Sequence, residues 1–193
     1  MKNLKLLFLF IAIFLVHYSF AQSKIDLSKH NCYSATVKYQ IDGDQQEGIL
    51  MFINYRDSEG SGFNYATAFV LGKGGQNYKI IDDSLAFTGV YDIKVSENQK
   101  YLAIFKVGEG HPWIEIYDLQ KLITQKVQDF ICDVNPYPGN INMIGWQNNL
   151  LIIESDMDFL LKNDNKELSD KDLDTKFKKY SFNLTDKKFK ILK

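Results

Sequence analysis

Short apolar runs that alternate with polar residues recur along the chain, and this period of two constrains the fold more than any other feature. In the clearest run, residues 33–41, Tyr, Ala, Val, Tyr and Ile occupy every second position. Successive side chains of a strand point to opposite faces, so the pattern predicts a half-buried β-strand. Asp42-Gly43 follows the run and is a strong hairpin-turn signal.

Runs of strand length continue at spacings of about ten residues, with turn residues between them. The further predicted strands are 49–55, 63–71, 78–81, 90–95, 101–107, 113–117, 140–146, 150–154, 177–184 and 189–192. Residues 118–126 predict one short helix, because Leu119, Leu122 and Ile123 share a face. Residues 157–176 form a charged insertion, which we expect to project as a long loop or short helix. The predicted fold is all-β: an antiparallel meander arranged as an open or partial propeller-like sheet or as a β-sandwich.

Two units about 50 residues apart resemble blades of β-propellers of the WD-repeat kind. In Tyr91–Ile104 a serine-led polar turn precedes an apolar strand, and Trp113–Leu119 is similar to the outer strand that follows. A weaker copy is Gly145–Ile153 followed by Tyr180–Leu184. The resemblance covers residues 90–192 and implies a propeller-like sheet. It implies no activity, since propellers host unrelated functions.

Residues 1–21 have the three parts of a secretory signal peptide. Two lysines precede an unbroken apolar stretch at residues 6–16, and Ser19-Phe20-Ala21 places small residues before a cleavage site. The stretch is shorter than the roughly 20 apolar residues of a spanning helix. We therefore predict an exported protein, periplasmic or secreted, with a single β-rich domain at residues 22–193 and no membrane span after cleavage.

The charge pattern excludes a protein built to bind nucleic acid. The formal net charge is −1, and Arg56 is the only arginine among 23 basic residues. Arginine is the side chain best suited to bidentate recognition of phosphates and base edges. The partner we expect is therefore a protein or a saccharide.

Cys32 and Cys132 are the only cysteines. Export to an oxidising compartment favours a structural disulfide between them. Two buried thiols are the main alternative, and a reactive thiol is a third. Neither cysteine lies in a CxxC motif or has a histidine at metal-ligand spacing, so we predict no metal site.

Aromatic residues in two glycine- and proline-bearing segments are the candidate binding residues. His111 and Trp113 belong to a predicted loop at residues 108–113, whose glycines and proline are also explained by turn structure alone. Tyr137 lies in the stiff loop at residues 133–139, and we expect it to present an aromatic surface near Trp146 or near the first loop. A structural corner between strands is the alternative for this second loop.

The sequence shows no catalytic set. It lacks the GxSxG elbow of serine hydrolases, and Gly74-Gly75 lacks the Lys-Ser/Thr ending of a phosphate-binding loop. We therefore predict no catalytic residues and no cofactor, and a non-enzymatic protein that binds a protein or saccharide partner in the cell envelope. The alternatives are an immunity or inhibitor protein against a toxin or hydrolase in the periplasm, and a carboxylate-dependent hydrolase.

Overall fold

β-Strands dominate the computed structural model of the protein, which describes residues 31–56, 64–72, 77–83, 88–125 and 129–192. The predicted signal peptide at residues 1–21 lies outside these residues and stays a prediction. The described strands form three sheets of four antiparallel strands each, and the sheets are open. The predicted all-β fold is thus confirmed, whereas the resemblance to propeller blades stays a prediction.

In each sheet the strands lie side by side in chain order. The first sheet contains β1 (Asn31–Ile41), β2 (Asp44–Arg56), β3 (Asn64–Gly72) and β4 (Asn77–Asp83). The second contains β5 (Thr88–Val95), β6 (Tyr101–Gly108), β7 (His111–Asp118) and β8 (Cys132–Val134). The third contains β9 (Ile141–Gln147), β10 (Leu150–Met157), β11 (Leu173–Asn183) and β12 (Lys188–Ile191).

The second sheet is buried on both faces, because a separate core packs against each. Leu102 and Ile104 of β6 belong to the first core, together with residues of β1 and β2 and of the helix α1 (Leu119–Gln125). Ala103 of β6 faces the opposite way, into the second core with residues of the third sheet. Alternation along one strand therefore supplies apolar side chains to two cores. The helix predicted at residues 118–126 is confirmed as α1.

Two glutamine side chains join the first sheet to the second. Gln99 Oε1 accepts a hydrogen bond of 2.9 Å from the backbone N–H of Lys38. Gln120 Oε1 accepts one of 2.9 Å from the N–H of Gln40, and its Nε2 donates one of 2.7 Å to the Gln40 carbonyl. These hydrogen bonds connect the β5–β6 turn and α1 to β1.

The charged insertion packs partly into the second core instead of projecting. Its first half is a 3-10 helix (Phe159–Asp164), and Phe159 is fully buried there. The Phe159 ring stacks on Phe189 and meets Tyr180 edge-on, with centroid distances of 4.6 and 5.7 Å. Met157 and Phe159 thus anchor the segment in the second core, with Leu160 and Leu168 packed against it, although its composition is largely that of a solvent-exposed loop.

The predicted disulfide is wrong, since Cys32 and Cys132 are not bonded to each other. Cys32 lies on β1, which contacts β5, whereas Cys132 lies on β8 at the opposite edge of the second sheet. Three strand spacings of about 4.8 Å separate β5 from β8. A disulfide requires Cα atoms within about 7 Å, so the topology excludes the bond. Burial raises the pKa of the Cys132 thiol, which argues against a reactive thiolate at neutral pH.

Within the described part of the chain, the helices are all too short or too polar to cross a membrane.

Candidate binding site

The strand β7 begins at His111, so the predicted loop at residues 108–113 is shorter than expected. The β6–β7 connection consists of Glu109 and Gly110, which have φ angles of 51° and 84°. Positive φ at both central residues is typical of a tight hairpin turn. His111 and Trp113 are therefore strand residues with fixed directions.

One face of β7 carries polar and aromatic side chains along its whole length. His111, Trp113, Glu115 and Tyr117 lie two residues apart and share this face. Ile114 and Ile116 point to the other face and belong to the second core. β7 therefore has one apolar face and one face with polar and aromatic side chains.

Glu115 is the centre of a buried hydrogen-bond network on this face. Its carboxylate accepts hydrogen bonds from Lys106 Nζ, from the Tyr117 hydroxyl and, at 2.9 Å, from Trp113 Nε1. Only 8% of Glu115 and 5% of Lys106 is exposed. Burial by itself raises the pKa of Glu115, but the Lys106 charge and the three hydrogen bonds outweigh it and hold the pKa below its usual value. The carboxylate is therefore ionised at neutral pH and fixes the Trp113 ring.

Asp133 of β8 lies directly opposite Glu115 of β7 in the antiparallel register. Directly opposed residues of neighbouring strands project from the same face of a sheet. Asp133 is exposed and forms no close ion pair with the described residues, but its charge attracts Lys162: burial lowers the pKa of Lys162, and the Asp133 carboxylate opposes that shift. A second carboxylate thus lies beside the Glu115 network, within electrostatic reach of Lys162.

The loop after β8 is held at both ends. Near its start, Lys162 Nζ donates a hydrogen bond of 2.5 Å to the Asn135 carbonyl. Just after it, the Asp156 carboxylate accepts bonds of 2.6 and 3.0 Å from the backbone and side-chain N–H groups of Asn140. The backbone N–H of Tyr137 also donates to Asn135 Oδ1 at 2.9 Å. The loop therefore presents Tyr137 from a preorganised backbone.

His111, Tyr137 and neighbouring residues line an open cavity of about 310 Å³, which we call the aromatic cavity. Four rings line it: His111, Trp113, Phe130 and Tyr137. Its polar lining residues are Glu115, Asp133 and Asn135. The His111 and Tyr137 rings meet at 78° with centroids 4.8 Å apart. The structure thus brings three of the four predicted binding residues together.

Trp146, the fourth predicted binding residue, lies elsewhere. Its ring stacks on Tyr101 at a centroid distance of 6.0 Å, and its Nε1 donates a hydrogen bond of 2.9 Å to the Lys94 carbonyl. These contacts join β9 to the second sheet at the edge of the second core. The position of Trp146 is explained by packing.

Gly139 is the last residue of the loop, and the structure leaves no space for a side chain at this position. A β-carbon there would overlap the fully buried Met157 side chain and the Asp156 carboxylate that holds Asn140. We expect Gly139→Ala to lower the free energy of unfolding by about 1–3 kcal/mol, as other overpacking changes do. Urea unfolding measures the loss. A Met157→Ala background, which makes room, should reduce the effect of Gly139→Ala; an equal loss in both backgrounds would contradict the overlap.

A larger cleft of about 720 Å³ between the first and second sheets is polar. Its amides include Gln99 and Gln120, which already bond to the backbone of β1. Because these amides are already bonded, the aromatic cavity is the better candidate site.

Among the described residues no three His, Cys, Asp or Glu side chains are grouped to hold a metal ion.

Comparison with protein-family models and with curated proteins finds no match for the chain.

Proposed function

We propose that the chain is an exported, non-enzymatic β-protein that binds a protein or saccharide partner in the cell envelope through the aromatic cavity. The observation that carries the proposal is the convergence of His111, Trp113 and Tyr137 on one cavity. Exposed aromatic rings on a rigid backbone give large contact area at low entropic cost. Export rests on the composition of residues 1–21 alone.

The state of Glu115 supports binding over catalysis. Both of its carboxylate oxygens accept hydrogen bonds from the protein's own side chains. A general acid or base needs a proton-transfer partner within reach and a pKa near the working pH. The pKa of Glu115 is instead held low, so this carboxylate supports the cavity as a fixed charge.

Removing the exposed ring of Tyr137 is the direct test. We expect Tyr137→Ala to abolish capture of a partner from envelope extract of the host, because the side chain is 59% exposed and lines the cavity. The measurement is affinity capture with tagged protein, scored as the partner's yield per mole of bait. Circular dichroism and the melting temperature should stay unchanged.

Tyr91→Ala is the matched control. Tyr91 is also an exposed tyrosine, 48% accessible, but it lies on β5, at the edge of the second sheet opposite β8. A partner captured equally by the wild type and by both variants would rule out the aromatic cavity as the site.

A further inference from the structure

Two rings of the aromatic cavity, His111 and Tyr137, meet nearly at right angles, at 78°. A third ring, Phe130, stands at 79° to Tyr117, a core residue outside the cavity lining. A pyranose ring is a puckered chair that stacks one C–H face on a single aromatic plane, whereas a compact cation gains from several ring faces around it. The negative face of an aromatic ring attracts cations within about 6 Å of its centroid. The ring geometry therefore favours a compact cationic group.

The charges at the cavity favour the same kind of ligand. Its lining contains two carboxylates and, among the described residues, no lysine or arginine. Glu115 is compensated by the buried Lys106. Asp133, its cross-strand neighbour, attracts Lys162 electrostatically without forming a close ion pair with it, and the Lys162 ammonium, which is not part of the cavity lining, donates to the Asn135 carbonyl. Because Lys106 already neutralises Glu115, the exposed Asp133 is the carboxylate that a positively charged ligand in the cavity can contact.

The volume limits the size of the group. About 310 Å³ is near the lower end of small-molecule sites. It suits a methylated ammonium group or the end of a lysine side chain.

We propose that the aromatic cavity binds an organic ammonium group, with Trp113, Tyr137 and Asp133 as its main contacts. The inference rests on the proposed function, of which it names the ligand chemistry. The ammonium group belongs either to a small quaternary amine or to a lysine side chain of a protein partner.

Choline and 3,3-dimethylbutan-1-ol test the proposal, because the two molecules have the same shape and differ in charge. With the full folded protein, calorimetry or ligand-observed NMR should show saturable choline binding at least about tenfold tighter than binding of the neutral alcohol. Rising salt should weaken choline binding, since Asp133 is exposed. Equal binding of both molecules, or binding of neither, would overturn the proposal.

Variants locate the binding in the cavity. Tyr137→Ala and Asp133→Asn should each weaken choline binding several-fold, whereas Tyr137→Phe, which keeps the ring, and Tyr91→Ala should leave it unchanged. Melting temperatures verify that each variant is folded. Choline binding that is unaffected by both Tyr137→Ala and Asp133→Asn would place the site elsewhere and refute the inference.

Two further probes distinguish the sources of the ammonium group. Tighter binding of choline than of Nα-acetyl-lysine amide indicates a small quaternary amine, and the reverse order indicates a partner's lysine. If Tyr137→Ala abolishes partner capture but choline does not bind, the proposed function stands and the ammonium inference fails. If choline binds but partner capture is unaffected by Tyr137→Ala, the cavity binds an ammonium ligand and the proposed function fails.

Discussion

Replacing Glu115 by leucine is expected to lower the free energy of unfolding by about 3–5 kcal/mol, because it leaves the buried Lys106 ammonium without its counter-charge. Lys106→Met should cost a comparable amount, since the carboxylate is then buried without its cation. Urea unfolding of both variants measures these losses. The double variant Lys106→Met/Glu115→Leu removes both charges, so it should recover part of the stability; the Trp113 and Tyr117 donors still lose the Glu115 acceptor.

The pair Lys38–Glu47 is the control for this double-variant cycle. It also links neighbouring antiparallel strands, but its side chains are 49% and 60% exposed. Exposed ion pairs contribute about 0.2–1 kcal/mol, so Lys38→Met and Glu47→Leu should have small effects. If the stability losses of the two single variants simply add in the double variant, the two buried charges contribute to stability independently of each other.

Acid unfolding provides an independent check on the same pair. The pKa of Glu115 is lowered in the folded protein, so its ionised form contributes stability above the usual value of 4.5. This contribution is lost as the pH falls below 4.5 and passes through the lowered pKa. Between neutral pH and about pH 3 the wild type should therefore lose more stability than the double variant does.

Phe159→Ala is expected to lower the free energy of unfolding by about 3–5 kcal/mol, the usual cost of deleting a buried aromatic ring. Phe159 is fully buried, and it packs between the rings of Phe189 and Tyr180. Its loss removes both ring contacts and leaves a cavity that the surrounding strands cannot fill. Chemical denaturation monitored by circular dichroism gives the value.

Phe177→Ala is the matched control for Phe159→Ala. Phe177 lies on β11 and is 47% exposed, so its removal should change stability by less than about 0.5 kcal/mol. Similar small losses for both variants would mean that residues 159–164 do not contribute to the core, as expected for a projecting insertion.

The alternation of apolar residues predicted most of the strands because each carries a core-facing side. Residues 101–107 were predicted as a strand and form β6 at Tyr101–Gly108, and residues 118–126 predicted the helix α1. The cysteine pairing was mispredicted because it depends on which strands lie at the edges of each sheet. Local pattern carries no such information.

The candidate site could be predicted only in part. Aromatic residues beside glycine and proline drew attention to His111, Trp113 and Tyr137. The network at Glu115 was missed because an acidic residue between Ile114 and Ile116 reads as a solvent-facing position in a half-buried strand. The sequence did contain a signal for this network. Trp113 and Tyr117 share a face with Glu115, and these large aromatic side chains indicate that this face of β7 is covered by other residues as well.

The hydrogen bonds of Gln99 and Gln120 to β1 have a consequence for association between molecules. β1 is the outer strand of the first sheet, and an outer strand offers its backbone groups as a template for another chain. The N–H groups of Lys38 and Gln40 and the Gln40 carbonyl are already bonded to the two side-chain amides. At Lys38 and Gln40 the amides occupy the positions that an incoming strand would need, so this end of β1 resists strand addition and the aggregation that follows from it.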